Sequence, residues 1–132
     1  MNKMAQYEHL PIYKQALDLA VYLEKAVSGF SRYHKYSIGA DLRKIARHNI
    51  TLIVRANSET ERLATLLALR YSLEELMVCL RIAKELQVFK SLNSFVYALD
   101  LTLQLSRQNE GWSKSLKKPP EHSRIARSGV QS

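Results

Sequence analysis

The sequence is poor in the residues that interrupt helices. Three prolines occur, Pro11, Pro119 and Pro120, so residues 12–118 contain none. An interior proline costs a helix about 3 kcal/mol, and its absence over this span suits long helices. Only four glycines are present, all isolated, which excludes a glycine-rich phosphate loop. A single cysteine, Cys79, excludes an internal disulfide and any multi-cysteine zinc site. Long apolar runs are also missing. Unbroken runs are only a few residues long, as in Leu66-Leu67-Ala68-Leu69, far below the roughly 20 residues that cross a bilayer. Residues 1–8 hold no apolar stretch of signal-peptide type. These absences predict a soluble, cytoplasmic protein with no membrane association.

What the sequence does have is apolar residues, at 46% of the chain, and positive charge, at +8 net. The first figure excludes compositional disorder, and 132 residues suffice for one domain with its own core. The charge has two sources. Residues 31–55 carry Arg32, Lys35, Arg43, Lys44, Arg47 and Arg55 against Asp41 alone. From Lys114 onward five basic residues face Glu121. A field of this sign favours polyanions such as nucleic acid.

Apolar residues recur at three- and four-residue spacing in four segments. Pro11 opens the first, which continues through Ile12, Ala16, Leu19, Ala20, Leu23, Ala26, Val27 and Phe30, with Gly29 as its stop. The second runs from about Gly39 to Ala56, with Leu42, Ile45, Ala46, Asn49 and Ile53 on one side. Ser58, three residues before Glu61, predicts a capping box for the third. That third segment holds Leu63, Leu66, Leu67, Leu73, Leu76, Met77, Leu80, Ala83 and Leu86, stopping near Lys90-Ser91. Phe95, Ala98, Leu99, Leu101, Thr102, Leu103 and Leu105 form the fourth, ending near Gly111-Trp112. The pattern predicts an all-α, antiparallel, up-down-up-down four-helix bundle. Residues 1–9 form an N-terminal extension, 10–116 the bundle domain and 117–132 a basic mobile tail.

No catalytic constellation assembles. His9, His34, His48 and His122 are scattered without a second ligand at metal spacing. Glu74 and Glu75 are adjacent, so their side chains diverge by about 100° on a helix. Cys79, between Val78 and Leu80, shows no activating base and is expected to be a structural thiol. The chain is thus expected to be non-enzymatic, with no metal and no cofactor.

The second helix carries the clearest functional signal. At about 100° per residue, Arg43, Arg47, Thr51, Lys44, Arg55 and His48 span one side, from 0° to ~140°. Its apolar residues lie opposite, and Val54 alone breaks the polar side. Within the helix only Asp41 in the first turn offsets this charge. Solvated faces usually mix signs at four-residue spacing, so a single-sign stripe points to polyanion binding. Before it, Phe30-Ser31-Arg32-Tyr33-His34-Lys35-Tyr36 interleaves basic and aromatic residues. Such a segment either stacks on bases while cations hold phosphates, or is a loop pinned to the bundle by its tyrosines. The candidate nucleic-acid-binding residues are Arg32, Lys35, Arg43, Lys44, Arg47 and Arg55.

Several blocks carry a resemblance. Leu10-Pro11-Ile12-Tyr13-Lys14 through Ala20-Val21-Tyr22-Leu23-Glu24, and above all Gly29-Phe30-Ser31-Arg32-Tyr33-His34-Lys35-Tyr36-Ser37-Ile38-Gly39-Ala40-Asp41-Leu42-Arg43, resemble the accessory variability determinant proteins of diversity-generating retroelements. The likeness continues through Val54-Arg55-Ala56-Asn57, Arg81-Ile82-Ala83-Lys84-Glu85-Leu86 and Gly111-Trp112, spanning residues 10–113. More distantly, the chain is similar to the small four-helix proteins encoded by intervening sequences in bacterial large-subunit ribosomal RNA genes. Ala64-Thr65-Leu66-Leu67-Ala68-Leu69 is more apolar than the likeness leads one to expect. The resemblance implies a homopentameric barrel of four-helix protomers. It also implies two partners, the retroelement reverse transcriptase and its template RNA or cDNA, in support of mutagenic retrohoming. From the residues alone, the alternative is a structural oligomerisation module that docks an acidic protein.

Overall fold

The structure, a computed structural model, describes residues 6–117. A 3₁₀ turn, Gln6–His9, leads into helix α1, Pro11–Ser28, and a single helical turn, α2, spans Arg32–Lys35. Three long helices follow: α3 at Ile38–Ser58, α4 at Leu63–Glu85 and α5 at Leu92–Lys117. No strand occurs among the described residues.

The four long helices form a closed ring, with α1 and α4 each packed against both α3 and α5. Side-chain bonds fix the directions. Gln15 on α1 donates to Gln104 on α5 at 3.1 Å, and Tyr22 donates to the Ser94 carbonyl at 3.3 Å. Ascending positions on α1 thus meet descending ones on α5. The bundle is up-down-up-down, as the four apolar stripes predict.

Every stripe residue expected on α1 and α3 is buried except Ala26, which is partly covered. On α4, Leu66, Leu69, Leu73, Leu76 and Leu80 are fully enclosed. Leu63, Leu67 and Leu86 are exposed instead, so part of the predicted α4 stripe faces outward. Buried polar groups set the register of the helices. The Ser72 hydroxyl on α4 donates to Asn49 Oδ1 on α3, and Asn109 on α5 donates to the Leu66 carbonyl at 3.1 Å. Such bonds between helices penalise slippage, because a shifted helix would leave a buried polar group unpaired.

Three local expectations are corrected. Ser58 does not cap α4. It is the last residue of α3, and its hydroxyl donates back to the Arg55 carbonyl at 3.0 Å. Helix α4 stops at Glu85, earlier than expected, because Gln87 adopts φ +59°. The Val88 N–H then bonds to Ala83 O and the Gln87 N–H to Lys84 O, closing the helix end in a Schellman arrangement. Helix α5, by contrast, passes through Gly111 to Lys117, since one exposed glycine costs a helix only about 1 kcal/mol. Of the expected tail, Lys117 closes α5, and residues 118–132 lie outside the described residues. No helix among those described is long and apolar enough to cross a membrane.

Candidate nucleic-acid interface

The connection between α1 and α3 is short and tightly built. Phe30 is buried, with its ring edge-on to Phe89 at 5.4 Å, and Ile38 is buried on the other side of the turn. Between them the chain passes very close to Gly39. A Cβ there would lie 2.7 Å from Val27 Cγ1 and 2.9 Å from the His34 carbonyl oxygen. Only a residue without a side chain permits this approach. The Ser37 hydroxyl donates to the Tyr33 carbonyl at 2.8 Å, and Arg43 Nη2 donates to the Lys35 carbonyl at 3.4 Å. The turn is therefore held from inside by apolar anchors and from α3 by a guanidinium.

Its tyrosines do not act as pins. Tyr33 is 76% exposed and Tyr36 is 68% exposed, the two highest values among the large apolar side chains. Of the two readings open for the segment, pinning by the tyrosines does not fit this exposure. Phe30 and Ile38 anchor the turn, and the tyrosines project from it.

The six basic residues predicted from sequence do not form one continuous face. Arg32 is exposed and Lys35 half-buried on the turn, and neither has an ion pair among the described residues. Arg43 lies against α1, half-buried, with Nη1 4.0 Å from Glu24. Arg47 shares the same carboxylate at 3.1 Å. Val54 on this edge is likewise half-buried, which explains why it interrupts the polar side of the wheel. Lys44 and His48, both exposed, border a cleft between α3 and α4 that is also lined by Asp41, Glu75 and Cys79. Arg55 stands 12 residues beyond Arg43, about 18 Å along the axis, and its Nε is 3.8 Å from Glu59.

The stripe is thus less naked than its own helix suggests. Glu24 arrives from α1 and Glu59 from the residue after α3. Glu59 follows Arg55 by four residues, just past the stretch the wheel spans, whereas Glu24 depends on which helices pack together. These pairs are largely solvated and contribute roughly 0–1 kcal/mol each. Their larger effect is to lower the local positive potential.

The end of the bundle that carries the turn gains charge that the wheel did not collect. The Phe30–Phe89 contact brings the α4–α5 connection alongside, with Lys90 on it and Lys84 in the last turn of α4. Lys84 Nζ lies 5.6 Å from the Phe95 ring centroid and 3.8 Å from Glu85. From Lys25 to Ala40 the chain contains no acid at all. That acid-free run was readable in the sequence; its meeting with the α4–α5 connection was not.

The cleft between α3 and α4 has a volume near 440 Å³. Burial, then Asp41, then Glu75 push the Cys79 thiol up from its ordinary range, which keeps it protonated. No three His, Cys, Asp or Glu side chains among the described residues converge as a metal site would require. Compared with known proteins, the chain matches no family and no curated protein.

Proposed function

We propose that this protein is a non-enzymatic nucleic-acid-binding accessory protein of a diversity-generating retroelement. It binds the reverse transcriptase and the template RNA or its cDNA, with little sequence preference, to support mutagenic retrohoming. The observation that carries the binding part is the bundle end at the α1–α3 turn. There, Arg32 and Lys35 lie in an acid-free stretch, and the Phe30–Phe89 contact brings up the α4–α5 connection with Lys90. Fixed cations on rigid backbone attract phosphates without any need to read bases. The retroelement and its reverse transcriptase come from the sequence resemblance, which is densest over this same turn.

The resemblance also supplies the homopentamer, and the outer side of α4 supports assembly. Leu63, Leu67, Tyr71, Val78, Ile82 and Leu86 are exposed there, a surplus that usually marks an interface. The same surplus favours the second reading, a structural oligomerisation module whose basic end docks an acidic protein.

Salt separates the two readings when combined with a defined probe. Bound to single-stranded RNA, the protein should lose affinity linearly in log salt, with a slope of about 0.7 per phosphate contacted. Absence of RNA and DNA binding at low salt would defeat the nucleic-acid reading and leave the oligomerisation module. For the retroelement, the decisive observation is genomic: a reverse transcriptase gene and two near-identical repeats beside this gene. Light scattering checks the assembly, with five times the 15.2 kDa chain mass expected. A monomer would refute it.

A further inference from the structure

The two exposed tyrosines are not used by a pure phosphate-contact mechanism, yet exposed aromatic area has to be explained. Tyr33 lies on the helical turn α2 and Tyr36, three residues on, is the residue that closes it. Both rings are well over half exposed, while the backbone beneath them is held by Phe30, Ile38, Gly39 and the Arg43–Lys35 bond. Tyr33 is further steadied edge-on by the His34 ring at 5.2 Å. Rings on a rigid turn lose little freedom when a flat partner lies on them. Arg32 and Lys35 alternate with the tyrosines, and no acid occurs from Lys25 to Ala40.

We infer that Tyr33 and Tyr36 form a stacking platform for unpaired bases, with Arg32 and Lys35 holding the flanking phosphates of the same strand. The ligand class is therefore single-stranded RNA or DNA in preference to duplex. The chemistry follows from the alternation. A duplex keeps its bases stacked on one another and offers only phosphates to this end, so it can use the cations but not the rings. A single strand can use both. Every base has a π-face, so the platform discriminates strandedness and not sequence. A lipid surface or an acidic protein would also meet cations here, but neither presents flat rings at the spacing of successive nucleotides.

This inference rests on the nucleic-acid reading above, and its test keeps the two apart. Affinities of the full chain are measured for a 20-nucleotide single strand and for the matching duplex, for the wild type, a Tyr33→Ala/Tyr36→Ala variant and a Tyr33→Phe/Tyr36→Phe variant. Both positions are exposed, so helix content and thermal midpoint should be unchanged. The alanine variant should lose roughly fivefold or more in single-strand affinity, the lower end of stacking losses per base. Its duplex affinity should stay within about twofold, and the phenylalanine variant should bind like the wild type, since stacking needs the ring and not the hydroxyl. Equal losses on strand and duplex, or no loss on either, would overturn the platform while the nucleic-acid reading stands. So would alanine variants that lose only binding to phosphatidylserine vesicles. A wild type that binds neither strand nor duplex at low salt would overturn both.

Discussion

The two ends of this bundle are built from the same kinds of residues and use them differently. At the end formed by the α3–α4 connection, arginine is spent on structure. Arg62 Nε donates to the Glu59 carbonyl at 2.8 Å, and its Nη2 reaches the Asn57 carbonyl at 3.3 Å. Arg55 faces the Glu59 carboxylate, which also accepts a bond from the Thr65 hydroxyl. Arg70 lies 3.4 Å from Glu74 and 4.0 Å from Glu110. At the other end Arg43 is likewise spent on structure, but Arg32 and Lys35 have no ion pair among the described residues, and the side chains beside them are exposed tyrosines. The comparison teaches that counting cations along a helix does not locate a binding surface. What decides is what already holds each cation, whether a carboxylate one turn away, a backbone carbonyl, or an acid from another helix, and the last is a property of the fold.

Reversing charge at each end would break this comparison most directly. Arg32→Glu with Lys35→Glu should weaken single-strand binding by roughly tenfold or more and flatten the log–log salt slope by about 1.5, as expected for two lost phosphate contacts. Arg55→Glu should change affinity less than about twofold, because Arg55 already faces Glu59 far from the turn. Fluorescence titration over a salt series reads both. Equal effects at the two ends would erase the distinction.

The next largest effect should come from the backbone under the turn. Gly39→Ala forces a methyl against Val27 and the His34 carbonyl. It should cost about 2 kcal/mol in denaturant unfolding, within the range for overpacking a closed contact. The displaced turn should also bind nucleic acid more weakly, although no cation has been removed. Unchanged stability and binding would show that the turn is looser than its contacts indicate. Smaller and opposite in sign is Gln87→Gly. Gln87 holds a left-handed conformation that costs an L-residue roughly 1–2 kcal/mol, so glycine there should stabilise the fold by up to about 1 kcal/mol, seen as a raised Tm. Smallest is Arg55→Gln, which removes one solvated pair and should shift stability by less than about 0.5 kcal/mol.

How much of this was legible beforehand differs between core and site. The stripes of α1 and α3 were readable because three- and four-residue spacing reports burial directly. Leu42, Ile45, Ala46, Asn49 and Ile53 all lie inside. Helix ends were less readable. Gln87 occupies a position where glycine is the usual signal, so the end of α4 was invisible. Gly111 gave the signal without ending anything, because an exposed helical glycine is only mildly unfavourable. Ser91 reads in the sequence as the end of a segment, yet its hydroxyl accepts the Ser94 N–H at 3.2 Å and caps α5. The candidate site was half legible. Arg32, Lys35 and the interleaved tyrosines were apparent from spacing alone. Glu24 beside Arg43 and Arg47, the α4–α5 connection with Lys90 beside the turn, and Lys44 at the border of the α3–α4 cleft all depend on which helices pack together.

Contact between nucleic acid and the turn end can be observed without any substitution. Ultraviolet crosslinking of the intact protein to a single-stranded RNA, followed by mass spectrometry of the crosslinked peptides, reports which residues touch bases. Crosslinks concentrated on the segment from Phe30 to Lys35, with Tyr33 foremost, and on Tyr36 are the expected result. Crosslinks confined to the α3–α4 end, around Arg55 and Arg62, with none on the turn, would contradict the placement of the interface.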